Sequence, residues 1–535
     1  MTDYAGQQNA AFLENKSLFF NRIKEQHTVK TAESKDVINV DENVISAVEG
    51  LALTKSNDYK FLLTNFHSLE AEFSQMFVVL EKQRAQHNEI FWLYCYYNAS
   101  LLEAFYDAYS QSAQKAHYTE LKQQIKDQLF KEKKDKEQED SFIQSLEQSF
   151  IKGLRNLINA PFHASKIRDY VGFSNLCRLY WIFCRLTLTN GLILAKELKI
   201  LEQLDAILGT HTDVDKIISV IQAPNGILNY FSVGLFLARF IIDAGMLVKH
   251  TWFPNKTELS GDTTCYDRLK YELYKRQFNF GNDLVWSSVN FLTNFNYISN
   301  PVAAVITAIF LGFDVSMNFY KMYFARKEYI EKKSQYSFDI SEHENRKKCL
   351  SSGDKEHQIH DAQIAMLIKQ CDELDLQFQK KQATLYFGAG AAALLMTGFS
   401  ATIILTSTGM VVASFFACTI AAAMYFSMNQ YSQYKEASLR LKQKHDIAQK
   451  EYVAARDDFI FVMVKNTLAP TFLIATLAIC WPAAIAFTAL YIGCEMHHSY
   501  TQHNAKQEIK RIAVAEPREE DVLDVDEDRS CLPCF

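Results

Sequence analysis

An all-α chain of long helices, arranged as a helical bundle with a transmembrane helical hairpin and one further apolar span, is the fold that this sequence predicts. Three observations predict it. The 535 residues include only eight prolines, all at or after Pro161, and only 18 glycines, so little interrupts helix formation and a turn-rich β architecture is disfavoured. Residues 382–434 form 53 consecutive positions without one Asp, Glu, Lys or Arg. Elsewhere apolar residues recur at spacings of three and four, as in Phe61, Leu62, Phe66, Leu69, Phe73, Phe77 and Leu80, which fall on one helical face.

Residues 1–37 are polar and weakly periodic and read as a frayed or disordered N-terminus. Residues 38–160 read as a polar helical region, in which 131–140 (KEKKDKEQED) is a solvated face or connector. Residues 161–330 read as an apolar helical bundle, either core or membrane-associated. It holds three candidate helices, Val171–Ala195, Ile227–Val248 and Leu284–Phe319, punctuated by Pro161, Pro224-Asn225-Gly226, Pro254 and Pro301. Each carries polar groups: Arg178 and Arg185, then Arg239 and Asp243, then Asn290, Asn294 and Asp314. In the second, twelve Leu, Ile, Phe and Val residues favour insertion by roughly 4–7 kcal/mol, and Arg239 with Asp243 oppose it by about 5–7 kcal/mol. The two cancel, so a core helix is favoured there, with Arg239 and Asp243 as a structural pair four residues apart. Residues 331–381 follow as a stalk helix, of which Glu342–Lys381 is charged and amphipathic.

A straight helix of 53 residues would reach about 80 Å, more than twice a hydrocarbon core, so residues 382–434 double back. Thr406-Ser407-Thr408-Gly409 supplies the turn between arms Ala383–Leu405 and Met410–Phe426. Gly388, Gly390, Gly398 and Ala421 are small enough for close helix approach, Gly409 belongs to the turn, and Tyr386 and Tyr425 mark the water-facing ends. Residues 435–465 read as a return stalk, antiparallel to 355–381. The uncharged run Asn466–Cys494 is one tilted span or, broken at Trp481-Pro482, a re-entrant hairpin. An upright return stalk would leave Lys465 far from the membrane just before this run begins, and the sequence does not resolve that conflict. Residues 495–535 form a polar, acidic tail. Its last 24 positions hold eight acids against Arg518 and Arg529, which equals the net charge of −6 of the whole chain.

That charge distribution offers no basic stripe, so no nucleic-acid partner is expected. There is no phosphate-binding glycine loop, no G-x-S-x-G and no H-E-x-x-H, so no catalytic residue, cofactor or metal is assigned and the chain is read as a non-enzyme. His357 with His360, and Glu495 with His498, share helix faces at ligand-like spacing, but solvated and interfacial side chains are the plainer explanation. Eleven scattered cysteines suit reduced thiols. Cys531-Leu532-Pro533-Cys534 lacks the strand-to-helix context of a redox motif and is no prenylation signal, which leaves Cys531 and Cys534 as S-acylation candidates. Arg239, Asp243 and Asp314 are the candidate intramembrane charges, and a transporter would need them to line one cavity. The N-terminal residues lack the apolar core of a signal peptide.

The block AEPREEDVLDVDED followed by an apolar terminus resembles the C-terminal export signal of Dot/Icm (type IVB) secreted effectors. Glu519 and Glu520 match its glutamate cluster and Leu532 its hydrophobic position near the end. With the Lys/Asn/Gln/Phe-rich composition, the coiled stalks and the membrane hairpin, the chain resembles the coiled-coil membrane effectors of intracellular bacteria. The resemblance implies secretion, multi-pass insertion into a host organelle membrane, and action on vesicle traffic through membrane lipid and helical protein partners, host or self. The competing expectation is an α-helical pore-forming toxin that is soluble at first and inserts the same hairpin later.

Overall fold

The computed structural model of the protein describes residues 2–30, 36–38, 40–82, 89–109, 111–130, 164–208, 211, 213–222, 225–256, 258–259, 263–294, 300–348, 355–441, 446–479 and 481–515. Helices account for nearly all of them; among the described residues the one sheet is a short antiparallel pairing of β1 (Thr28–Lys30) with β2 (Asp36–Ile38). The all-α class holds.

Five helices build a head: α1 (Thr2–His27), α2 (Glu42–Ser56), α3 (Tyr59–Lys82), α4 (Glu89–Ala108) and α5 (Ser112–Phe130). Asp41 caps α2, its carboxylate accepting from the Val44 backbone N–H at 2.9 Å. The core is aromatic, with α4 at its centre: Phe91, Tyr94, Tyr97, Phe105 and Tyr106 are all buried, as are Phe66 and Phe73 of α3. The expectation of a frayed N-terminus is wrong. Phe12, Phe19, Phe20 and Ile23 of α1 are buried in the same core. Four anchors in an otherwise polar stretch make a weak periodic signal, and it is packing onto α3 and α4 that holds the helix. The 131–140 charge run lies outside the described residues.

The rest is a set of long antiparallel helices: α6 (Ala164–Glu197), α7 (Ile200–Leu208), α8 (Val214–Gln222), α9 (Asn225–Trp252), α10 (Cys265–Asn294), α11 (Asn300–Lys348), α12 (Lys355–Ile404), α13 (Thr408–Phe426), α14 (Met428–Leu441), α15 (Asp446–Ile479) and α16 (Trp481–Ala515). Two expected single helices are pairs. Leu284–Phe319 is divided between α10 and α11, and Pro301 sits in the first turn of α11, where its missing N–H costs nothing. Glu342–Lys381 is divided between Lys348 and Lys355, so the expected stalk over 331–381 is the head-side end of the α11–α12 hairpin. That end is held by the Tyr329–Phe378 stack at 4.1 Å and by Lys333 with Asp375 at 2.8 Å.

The return stalk is also corrected. Residues 355–381 do meet α14, through the bidentate Arg440–Glu373 pair (2.8 and 3.0 Å) and Lys380–Glu436 at 2.6 Å. However, α14 ends at Leu441, and α15 runs back antiparallel to it, with Tyr434 beside Tyr452 and Tyr431 beside Phe459. The reversal carries Lys465 to the start of the second uncharged run and removes the conflict posed by an upright stalk. That run is a hairpin broken between Ile479 and Trp481, zipped by Lys450–Glu508, Asp458–His498, Lys465–Glu495 and Phe472–Phe487.

Candidate membrane-embedded sector

Residues 171–197, 227–248, 278–294, 300–320, 383–404, 408–426, 460–479 and 481–500 pack side by side at the end of the molecule away from the head. Six of these stretches are 19–22 residues, roughly 30 Å of helix, the thickness of a hydrocarbon core; 278–294 is shorter and 171–197 longer. Two helices, His360–Ile404 and Thr408–Phe426, are long and apolar enough to cross a membrane, and only 33% of the apolar window of each is buried. Large apolar side chains face outward around the sector, among them Leu237, Ile309, Phe416, Phe472, Leu490 and, at the tip, Ile404, which is 77% exposed. An open groove of about 460 Å³ between α9 and α10 is lined by Leu237, Phe240, Leu284 and Phe291.

Tyrosines mark one edge of this apolar surface. Tyr274 lies twenty residues before the end of α10, Tyr320 twenty after the start of α11, Tyr386 eighteen before the end of α12 and Tyr500 nineteen after the start of α16. Measured from the tip at 1.5 Å per residue, all four stand roughly 27–30 Å away, and all four are exposed. Exposed tyrosines at one depth are what a membrane–water interface selects. Tyr425, expected to share this role, sits at similar depth but turns half-buried against the sector's core. At the tip, α7 and α8 add a short cap carrying Glu202, Asp213, Asp215 and Lys216, with Lys196 bonded to Asp215 at 2.8 Å.

Inside, α12 and α13 meet through small residues. A methyl group on Gly398 would lie 3.0 Å from Cys418 Sγ and 3.0 Å from the Ser414 carbonyl oxygen, so α12 and α13 approach as closely as glycine alone permits. Ala421, Ala422 and Ala423 are buried beside it. Thr187 of α6 and Thr419 of α13 share a hydrogen bond of 3.0 Å. Gly388 is tight against Met428 and Asn318, whereas Gly390 and Gly409 have open space around them, so they do not belong to the seam. The hairpin turn falls between Ile404 and Thr408, and Thr408 donates to Glu197 at the end of α6 (3.0 Å).

The three candidate charges share one partner helix, α10. Arg239 faces Asp283 at 3.1 Å, Asp243 accepts from Arg276 at 2.6 Å, and Asp314 accepts from Trp286 Nε1 at 2.9 Å. Arg239 and Asp243 therefore do not pair with each other as expected: α10 sets Asp283 and Arg276 seven residues apart along its facing stripe, and each supplies a cross-helix partner. The three charges are held singly and do not line one cavity. From Asp243 the buried network continues through Arg276 to Glu272 (2.9 Å) and to Tyr109 of the head, joining head to sector. His250, stacked on Tyr109 at 4.1 Å and bonded to Glu258, extends it. Lys275 lies 3.9 Å over the Tyr109 ring, and burial lowers its ammonium to about 8 against the pull of Glu272. Sequence reasoning missed α10; its one signal was Arg276, Asp283 and Trp286 spaced along an otherwise helical pattern.

The histidine pairs do not converge on a metal, and among the described residues no group of three or more ligands does. His357 bonds Asp361 and His360 faces His343, while Glu495 and His498 are taken by Lys465 and Asp458. Glu519, Glu520, Cys531, Leu532 and Cys534 lie outside the described residues. Comparison with protein-family models, with curated proteins and with solved structures gives no match.

Proposed function

We propose that the protein is a multi-pass membrane protein, a secreted effector whose eight-helix sector sits in a host organelle membrane and whose aromatic head stands off that membrane to engage protein partners. The observation that carries the membrane part is the set of Tyr274, Tyr320, Tyr386 and Tyr500 at one depth, edging a surface of outward-facing Leu, Ile and Phe about as tall as a hydrocarbon core. Arg239, Asp243 and Asp314 each face a partner inside, and lipid demands that arrangement. Membrane lipid and helical protein partners follow from this reading, and secretion follows from the tail with Glu519, Glu520 and Leu532.

The test is alkaline-carbonate extraction of the full-length protein expressed in a eukaryotic cell, with its organelle scored by microscopy. Retention in the pellet is expected, and release into the supernatant sinks the reading. The export part is tested separately with a translocation reporter fused to the chain: removing residues 516–535 abolishes delivery by a bacterium with an intact Dot/Icm system, and undiminished delivery refutes it. The pore-forming alternative needs a soluble form that hides the hairpin. Only a third of each apolar window is fully buried, with Ile403, Ile404, Met410 and Phe416 exposed, which speaks against it, and recovery of the protein from the soluble fraction without detergent would favour it.

A further inference from the structure

Four arginines are buried among the described residues, and three of them show what a buried guanidinium here requires. Arg268 donates to the Thr263 and Thr251 carbonyl oxygens, Arg276 to Asp243 and Glu272, and Arg440 to Glu373 and Glu436. The fourth, Arg185 of α6, is 5% exposed, yet its Nε and Nη1 have no hydrogen-bond partner among the described residues. One turn further on, Thr189 is also 5% exposed and its hydroxyl is likewise unpartnered. It does not make the bond to the carbonyl four residues back that Thr397, Thr419 and Thr488 make on their own helices. A buried cation without an acceptor is among the costliest things a fold can contain.

We infer that α6 carries a binding site for a small monovalent anion of halide size, held between the Arg185 guanidinium and the Thr189 hydroxyl. Both groups are donors, and residues four apart on a helix stand about 6 Å from one another, a gap that one spherical acceptor bridges. A single negative charge neutralises the single guanidinium. Burial of both side chains leaves no path for a bulky headgroup. Arg185 is also twelve residues from the end of α6 at Glu197, about 18 Å into the sector, well below where lipid phosphate lies. The site goes beyond the membrane reading, since these side chains are enclosed by protein whatever surrounds the bundle.

The experiment uses full-length protein in nanodiscs of zwitterionic lipid, unfolded thermally in sodium chloride or sodium gluconate at equal ionic strength. Chloride is expected to raise the midpoint saturably by about 2–4 °C, and gluconate is not. Iodide replaces chloride and quenches Trp181, which sits one turn before Arg185. Arg185→Met, which fills a similar volume without charge, removes both responses. Thr189→Val, which deletes only the hydroxyl, keeps the fold under a gentler change and raises the chloride concentration for half-effect about five- to tenfold. Equal midpoints in the two salts for the unsubstituted protein overturn the site, as does a chloride response that survives both substitutions. A stabilisation seen only with anionic lipid, and lost in Arg185→Met, overturns it too, because a headgroup then fills the guanidinium.

Discussion

In the head, helices meet through large rings. Phe19 lies 4.8 Å from Tyr97, Phe66 lies 4.5 Å from Phe105, and Tyr59, Tyr94 and Tyr109 are almost wholly enclosed. In the apolar sector the closest approaches are through Gly398, Ala421 and Thr419, with Phe183, Leu311 and Leu395 buried beside them, while many other Leu, Ile and Phe side chains stand outside. Both regions are α-helical, but residues 382–434 carry no charge whereas the head is charged throughout, so they differ in composition as well as in the direction their apolar side chains take. Water drives large apolar groups to the middle of the head, where burial of each is worth about 1.5–3 kcal/mol. Where lipid is the solvent that force between helices vanishes, and close backbone approach and polar pairs take over. The head also encloses charge on its own terms: Glu72 is fully buried, bonded to Lys16 at 2.6 Å and to Lys332 at 3.2 Å, which ties α1, α3 and α11 together.

The comparison breaks most completely if one half can be removed without the other noticing. Deleting residues 383–426 is expected to disrupt the sector's packing while the six remaining apolar helices keep the protein in the carbonate pellet and the head keeps its near-ultraviolet circular dichroism; loss of that signal would show that the two halves fold as one. Next in size is Glu72→Gln, which leaves Lys16 and Lys332 buried without their counter-charge and is expected to cost the head about 3–5 kcal/mol in chemical denaturation. A loss under 1 kcal/mol would mean that water already reaches the pair.

A pH titration sharpens the same point. Burial alone would push the Glu72 carboxyl up, but Lys16 and Lys332 hold it down to about 2 from its ordinary 4.5. A depressed carboxylate stabilises the fold above its unfolded pKa, so this contribution is complete above about 4.5 and fades as pH falls toward 2. Asp339, raised to about 6 by burial, has the opposite sign, and its penalty lifts between pH 6 and 3.8. Burial also lowers His343 to about 4 and lowers His67, and such histidines cost stability as pH falls below 6.5, offsetting Asp339. Head stability is therefore expected to change little from pH 7 to 5 and to fall below 4.5, and a clear rise on acidification would contradict this.

In the sector, Gly398→Val is expected to cost about 1–3 kcal/mol by forcing α12 from α13, whereas Gly390→Val, with nothing within 4 Å, leaves stability in nanodiscs unchanged. Equal effects at the two glycines would show that α12 and α13 do not approach as described. The smallest effect belongs to Lys275→Met at the junction, expected within about 1 kcal/mol of neutral, because the buried ammonium there has no hydrogen-bond partner among the described residues to lose.

The hairpin was legible because its signals are local: 53 residues without charge, a Thr-Ser-Thr-Gly turn and a Trp-Pro break each act within a few positions. The α1 anchors, the reversal after Leu441 and the role of α10 were not, since each depends on residues far away in the chain. Phe12 has meaning only against α3 and α11, where Lys332 lies 5.2 Å over its ring. Arg239 and Asp243 looked like a pair because four residues is one turn, and nothing near them in sequence advertises Asp283 or Arg276.

By itself the sequence determined the helical class, the lengths of the apolar arms, the places where they turn and the glycine that lets two of them touch. Those follow from periodicity, charge-free length and side-chain size, which are properties of neighbouring residues. Only the tertiary structure decided which stripe faces which, and with it the partner of every buried charge, the common depth of the four tyrosines and the isolation of Arg185. Helix pairing is chosen by surfaces that no single segment contains.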